Sequence, residues 1–394
     1  MTALPPRQRR RPKASAAVAV PGYRPTWAEV RTGAICENLR RIRRAAKTKI
    51  LFVVKADAYG HGAVAVCREV EAKGAAQWLG VSSVEEGAAL RAAGIELPIL
   101  ILGSLFPFES VVAAARHGLT PTVASLEGAR RVAEAAERLG RAKGGASIPC
   151  HLKLDTGMGR VGVRWPAGQE VAEFLARSPG VALQGVYTHL ACAESGQAYT
   201  RLQLDRFAQA VGEIERLGVP GLLRHAANSA AALRTPESRW DMVRPGLAAY
   251  GVWPGFEPAL SLKTRIVFLK NVGGGTPISY GASYRTPRPT RIATLPIGYA
   301  DGLPRLLSRL KAGSRGGEVL IRGRRCPIVG AVTMDMTMID VGAVPDARVG
   351  DEVILIGRSQ GEEVSACDWA GLAGTISYEI LTGIQARVPR VHMP

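Results

Sequence analysis

Short apolar runs recur along the first two-thirds of the chain, each followed by a turn and then by an Ala-, Arg- and Glu-rich segment with helical spacing. The runs predict strands at Ile50–Val54, Trp78–Val81, Pro98–Leu102, Leu119–Val123, Ile148–Leu154, Ala182–Thr188, Leu222–Ala226 and Met242–Ala249, eight in all. Between them the pattern predicts helices such as Val64–Lys73, Val84–Ala93, Glu127–Leu139 and Tyr199–Leu217, stopped at Gly74, Gly94, Gly140 and Gly218. Eight strands alternating with helices is the arithmetic of a (β/α)8 TIM barrel. A doubly wound sheet would carry a Gly-rich fingerprint after its first strand, and the Lys55–Gly62 segment is not one.

From about residue 260 the helical period disappears. Short β-branched runs at Arg265–Leu269, Arg291–Leu295, Glu318–Ile321 and Val353–Ile356 alternate with turns at Gly273–Gly275 and Val349–Asp351. The expected fold is therefore α/β: a TIM barrel followed by a C-terminal all-β domain. The expected division is a basic tail over 1–22, the barrel over 23–259 and the β domain over 260–394. An alternating segment around Trp27–Val30 predicts a strand over 26–31 that pairs into the β domain.

Composition refines this picture in three ways. The chain has 394 residues, 47% hydrophobic and 21% charged, which suits a soluble globular protein. No apolar run approaches the roughly 18 residues that span a bilayer, so no membrane association is expected. The net charge is +18, part of it from Arg7, Arg9, Arg10, Arg11 and Lys13. That cluster reads as a solvated tail rather than a nucleic-acid contact. The stretch Ala14–Val20 after it is too short and Ala-dominated for an export signal. Six cysteines and six histidines are scattered without metal-ligand spacing, which predicts no metal site and a reducing, cytoplasmic location.

In a barrel the C-terminal strand ends face the active site. Here they present Lys55 and Tyr59, then Lys153 and Asp155 with the turn to Arg160, His189, Asn228 and Ser229, and Arg244-Pro245-Gly246. A metal-dependent hydrolase would show carboxylates and histidines; lysines, arginines and a tyrosine suit an anionic cofactor. Lys55 ends an apolar strand, where desolvation eases loss of its proton. On position alone it could equally be a lysine reaching out to solvent. Trp78, Trp165, Trp240 and Trp369 read as packing residues, and Gly273–Gly275 reads as a turn rather than a phosphate loop, since no helix follows it.

The run Val53-Val54-Lys55-Ala56-Asp57-Ala58-Tyr59-Gly60-His61-Gly62 closely resembles the cofactor-lysine motif of the alanine racemases, fold-type III pyridoxal phosphate enzymes. Further segments resemble the family in order: Lys153–Gly162, Tyr187–Ala191, Ala227–Ala231, Val243–Gly251, Ile278–Ala282, Leu295–Gly302, Val332–Asp335 and Ile376–Glu379. Asp57 stands where many members have Asn, Thr333 where others have Cys, and His392 where an aromatic is frequent.

The resemblance implies racemisation of L- and D-alanine on pyridoxal 5'-phosphate by two-base proton transfer, supplying D-alanine for peptidoglycan. Lys55 carries the cofactor as a Schiff base and is one base; Tyr280, supplied by the partner subunit of a homodimer, is the other. Arg244 faces the cofactor's pyridine nitrogen, and His189 lies against the ring. Tyr59, Asn228, Ser229, Gly246, Leu247 and Tyr378 hold the phosphate end. Arg160 and the Met334 backbone N–H bind the substrate carboxylate, and Tyr299 and Asp335 complete the pocket from the partner side. Lys153 is a candidate carbamylated lysine that positions Arg160. The alternatives are a broad-specificity amino-acid racemase of the same fold and a non-catalytic pyridoxal phosphate carrier, which would lack the β domain and Tyr280.

Overall fold

The computed structural model describes residues 22–143 and 145–394, so the basic cluster at Arg7–Lys13 lies outside the described residues. Eight parallel strands form the barrel: Lys49–Val53, Trp78–Val81, Ile99–Ile101, Thr122–Val123, Ile148–Asp155, Val181–Tyr187, Leu223–His225 and Met242–Val243. They form two ladders. A bridge between Leu100 and Thr120 joins strands three and four. Backbone bonds from Asp241 N to Arg224 O (3.1 Å) and Arg244 N to Ala227 O (2.9 Å) join strands seven and eight.

Strand eight is shorter than the expected Met242–Ala249, because Pro245 has no N–H to extend a ladder and the chain turns there into the site. The four glycines expected to stop helices all take positive φ, between 56° and 84°. Short barrel strands are Val-, Ile- and Leu-rich because helices cover their outer faces, and Ile50, Leu51, Leu79, Ile99 and Leu152 are fully buried.

The second unit is mainly strand. Its larger sheet runs Arg324–Pro327, Glu318–Ile321, Glu352–Ser359, Leu260–Arg265, Thr26–Arg31 and Arg390–Met393, with Glu362–Val364 on one side. The early strand does pair there, antiparallel to Leu260–Arg265 and parallel to Arg390–Met393. The expected strand Arg265–Leu269 instead straddles a break between Leu260–Arg265 and Phe268–Val272. The alternation of Leu260, Leu262 and Thr264 toward the interior, missed in the sequence, sets the first of these. Two short helices, Ala366–Ala373 and Ser377–Thr382, also interrupt the expected all-β texture. No helix among the described residues is long and apolar enough to cross a membrane.

Candidate active site

Lys55 follows the first barrel strand, and what comes next was not legible in the sequence. Ala56, Asp57, Ala58 and Tyr59 all sit near φ 51–54°, a single left-handed helical turn made of non-glycine residues. Such backbone costs about 1–2 kcal/mol per residue, so it persists only where its surroundings fix it. The fixings are specific. The Asp57 carboxylate accepts the Ala63 N–H (2.7 Å), and Arg390 Nε donates to Gly60 O (3.0 Å). His392 Nε2 lies 2.8 Å from His61 O, so the departure at position 392 serves the same clasp. Gly60 has no alternative: a Cβ there would lie 2.3 Å from the Leu381 carbonyl oxygen.

The turn aims Lys55 and Tyr59 into a cavity of about 420 Å³. Lys55, Tyr59, Lys153, Arg160, His189, Asn228, Ser229, Arg244, Gly246, Leu247 and Tyr378, all expected in the site, line it together. Among these lining residues are four cations and no carboxylate. Burial first, and then Arg160, hold the Lys55 amine below its ordinary pKa.

One end of the cavity is a cradle of neutral donors. Burial raises the Tyr59 phenol and pushes Tyr378 up to about 12, so both hydroxyls stay protonated. Their rings stand 5.8 Å apart, and Tyr378 comes from the β unit's second helix. Ser229 Oγ accepts the Gly246 N–H (3.0 Å) and the Ala248 N–H (3.3 Å), drawing the strand-eight turn onto the start of helix Ser229–Arg234. A Cβ on Gly246 would lie 2.6 Å from the Tyr59 oxygen, so the backbone approaches that hydroxyl as only glycine permits. Asn228 uses its Oδ1 to cap the helix through the Ala231 N–H (3.0 Å). Hydroxyls and glycine backbone, a lysine held below its ordinary pKa and a buried arginine around one cavity fit pyridoxal phosphate.

Arg244 is buried without a carboxylate partner among the described residues. Its guanidinium donates to Thr188 O (2.7 Å) and Ala226 O (3.0 Å), and lies 3.4 Å from His189 Nδ1. Burial lowers its pKa only to about 10, so it stays charged near neutrality. His189 falls to about 3, through burial first and then Arg244, and is neutral.

Strand five delivers the rest. Asp155 accepts the Gly157 and Gly159 N–H groups (both 3.0 Å), shaping the turn that carries Arg160. Lys153 sits 5.6 Å over the Tyr187 ring, and burial followed by Arg160 lowers its amine to about 8.

Tyr280, Tyr299, Met334 and Asp335 do not line this cavity. Tyr280 tips a hairpin between Pro277–Ile278 and Tyr284–Arg285 and is 78% exposed. Tyr299 and Met334 are 43% and 53% exposed and held side by side, with Tyr299 N donating to Thr333 O (3.0 Å) and Ala300 N to Met334 O (3.1 Å). Asp335 pairs with Arg387 at 2.5 Å. A second cavity of about 490 Å³ lies between loop Gly251–Pro258 and the β unit, away from Lys55 and Arg160, so volume alone does not mark the chemistry.

Tyr187 stood in the sequence only as part of the Tyr187–Ala191 segment, without a role, and His225, His151 and Glu86 were not singled out for the site. Tyr187 stacks on His225 (4.7 Å, 5°) beneath Arg244. Tyr187 and His225 end their strands, so the strand-end rule could have found them; His151 and Glu86 left no such signal.

Fold and site together define a barrel-type pyridoxal phosphate enzyme. The sequence model of the alanine racemase N-terminal domain matches residues 30–254, and that of the C-terminal domain matches 259–392. The alanine racemase of Symbiobacterium thermophilum is 48% identical over 381 residues, covering 94% of this chain and 98% of its own. Among solved structures, alanine racemase of Clostridium difficile 630 superposes with TM-score 0.85 at 37% identity, covering 94% of this chain and 96% of that one. The Bacillus anthracis enzyme with bound L-Ala-P gives TM-score 0.85 at 38% identity, covering 95% and 96%. The chain belongs to the alanine racemase family, whose members depend on pyridoxal phosphate.

Proposed function

We propose that the protein interconverts L- and D-alanine by passing the Cα proton between Lys55 on one face and Tyr280 of the partner subunit on the other. The observation that carries this reading is the cavity: four cations and no carboxylate around a lysine held below its ordinary pKa. Bound pyridoxal phosphate supplies the electron sink that acidifies the substrate Cα–H.

The residues of this chain do the rest. Tyr59, Ser229, Tyr378 and the backbone of Gly246 and Leu247 bind the phosphate, with Asn228 ordering that corner. Arg244 would donate to the pyridine nitrogen and, staying charged, would leave it without a proton, which would restrain the sink. His189, which lines the cavity, would lie against the ring. Arg160 and the Met334 N–H orient the substrate carboxylate, and Tyr299 and Asp335, outside the Lys55 cavity of their own chain, close the pocket from the partner side. Lys153, with its amine near pKa 8, adds to carbon dioxide; a carbamate forms, one proton leaves, and the new anion faces Arg160.

Racemisation needs two groups flanking one carbon. Tyr280 is exposed on the β unit and outside the Lys55 cavity of its own chain, which supports a two-fold homodimer whose sites are shared. We retain the division into a barrel over 23–259 and a β unit over 260–394. Six free thiols suit the cytoplasm, where the D-alanine formed would feed peptidoglycan. The match over 259–392 covers the unit that a carrier would lack. Incubating the holoenzyme with L-alanine, L-serine and L-lysine tests the reading by optical rotation. Turnover of alanine alone is expected; equal turnover of all three would indicate the broad-specificity racemase, and none would sink the proposal.

A further inference from the structure

We propose that Glu86 is a positioning residue for Lys55, tying the first residue of the left-handed turn to the end of the neighbouring barrel strand. The inference rests on Lys55 being the cofactor lysine.

Glu86 is the third residue of helix Val84–Ala92, which follows the second barrel strand. One carboxylate oxygen accepts the Ala56 N–H at 2.7 Å. The other accepts the Ser82 N–H (2.7 Å) and the Ser82 hydroxyl (2.8 Å). Donors thus approach both oxygens, and the carboxylate bridges the two strand ends as an acceptor on each side. Ser82 lines the Lys55 cavity, so the tie crosses its rim.

A helix cap alone does not explain this geometry. An acid at the third position ordinarily bends back to the N–H of its own capping residue. Asp368 does so in helix Ala366–Ala373, accepting the Ser365 N–H at 2.8 Å. Glu86 bypasses the N–H of its capping residue, Ser83, and reaches 30 residues back to Ala56. Ala56 opens the positive-φ run, and the right-handed pattern offers its N–H no acceptor, so Glu86 fills that need at the entry of the turn.

Charge points the same way. Arg160 and Lys153 from strand five and its loop, His189 from strand six and Arg244 from strand eight surround the lysine with cations and one neutral ring. Burial and Arg160 push the Lys55 amine down, and Glu86 pulls it back up.

The test compares holoenzymes of wild type, Glu86→Gln, Glu86→Asp and Ser82→Ala. Two readouts need no turnover: the pH at which the Lys55-bound chromophore titrates, and the rate of cofactor release into excess scavenger. Glu86→Gln should titrate at lower pH and release cofactor about tenfold faster, the scale of one lost charge-assisted hydrogen bond. Glu86→Asp restores the charge but shortens the reach, so its titration should return toward wild type while release stays fast. Ser82→Ala should speed release less and leave the titration unmoved. Wild-type titration and release in folded Glu86→Gln would reduce Glu86 to a helix cap and overturn the proposal. Should that variant fail to fold, wild-type release from both Glu86→Asp and Ser82→Ala overturns it instead. Borohydride trapping and peptide mapping check the parent reading separately: label on another lysine removes Lys55 without bearing on the Glu86 bonds.

Discussion

A terminal nitrogen of Arg244 lies 3.0 Å from His225 Nδ1, and that contact fixes the protons of a buried chain. A guanidinium only donates, so His225 keeps its lone pair on Nδ1 and its proton on Nε2. That proton points to His151 Nδ1 at 2.9 Å, which places the His151 proton on Nε2, an atom without a partner among the described residues. Both histidines are neutral, with burial the largest cause and Arg244 next. The arginine is thereby held from behind by a neutral relay rather than by an acid.

Arg244→Lys should therefore be more damaging than a like-charge exchange suggests. One ammonium cannot serve Thr188 O, Ala226 O and His225 together. A loss of about 2–4 kcal/mol in urea unfolding is expected, with weaker cofactor retention in dialysis. Wild-type stability would show that the fork is dispensable.

Tyr280→Phe should slow proton removal from one alanine enantiomer by orders of magnitude while cofactor stays bound. Exchange of the Cα proton with deuterated solvent, followed separately from L- and D-alanine, measures this. Equal rates from both enantiomers would end the two-base assignment.

Gly246→Ala places a methyl against the Tyr59 hydroxyl, whose ring is wedged between those of Tyr250 (4.8 Å) and Tyr378 (5.8 Å). Cofactor affinity should fall at least about tenfold, a loss of about 1.4 kcal/mol. Titration by cofactor fluorescence reads the affinity.

Acid should weaken the fold before the carboxylates titrate. His61 is fully buried, and its pKa falls from 6.5 to about 4, with burial the dominant cause. Below pH 6.5 the unfolded chain takes up a proton that folded His61 refuses, so its contribution is complete above 6.5 and drains away toward pH 4. The slope is about 1.4 kcal/mol per pH unit. His61→Gln should flatten the stability profile by about one proton in that window; an unchanged slope would show that His61 does not titrate there.

Removal of carbon dioxide should lower activity by raising the KM for alanine, since Arg160 would lose the anion on Lys153. Bicarbonate should restore it. Indifference to both would leave Lys153 a plain amine.

The barrel was legible because its strands are buried on both faces and read as unbroken apolar runs between capped helices. Lys55, Arg160 and Arg244 were legible through the strand-end rule and the family resemblance. The left-handed turn was not, because Ala56, Asp57 and Ala58 prefer right-handed backbone, and the bonds that hold them otherwise include distant ones from Glu86, Arg390 and His392. Glu86 stayed hidden for a related reason: its third-position spacing announces an ordinary helix start, and only the fold reveals the distant N–H it serves. Strand Arg265–Leu269 was misplaced because a β-branched run does not show where one sheet hands over to the next.

The clasp on the Lys55 turn also sets an order of events during synthesis. Lys55 leaves the ribosome early, yet the groups that grip the Gly60 and His61 carbonyls, Arg390 and His392, belong to a strand made more than three hundred residues later. The barrel sequence alone supplies the Asp57 and Glu86 bonds to the turn but not the two on the Gly60 and His61 carbonyls. The grip on the reactive amine is thus non-local: strand Arg390–Met393 lies beside one of the first strands, Thr26–Arg31, and from there reaches the turn that carries Lys55.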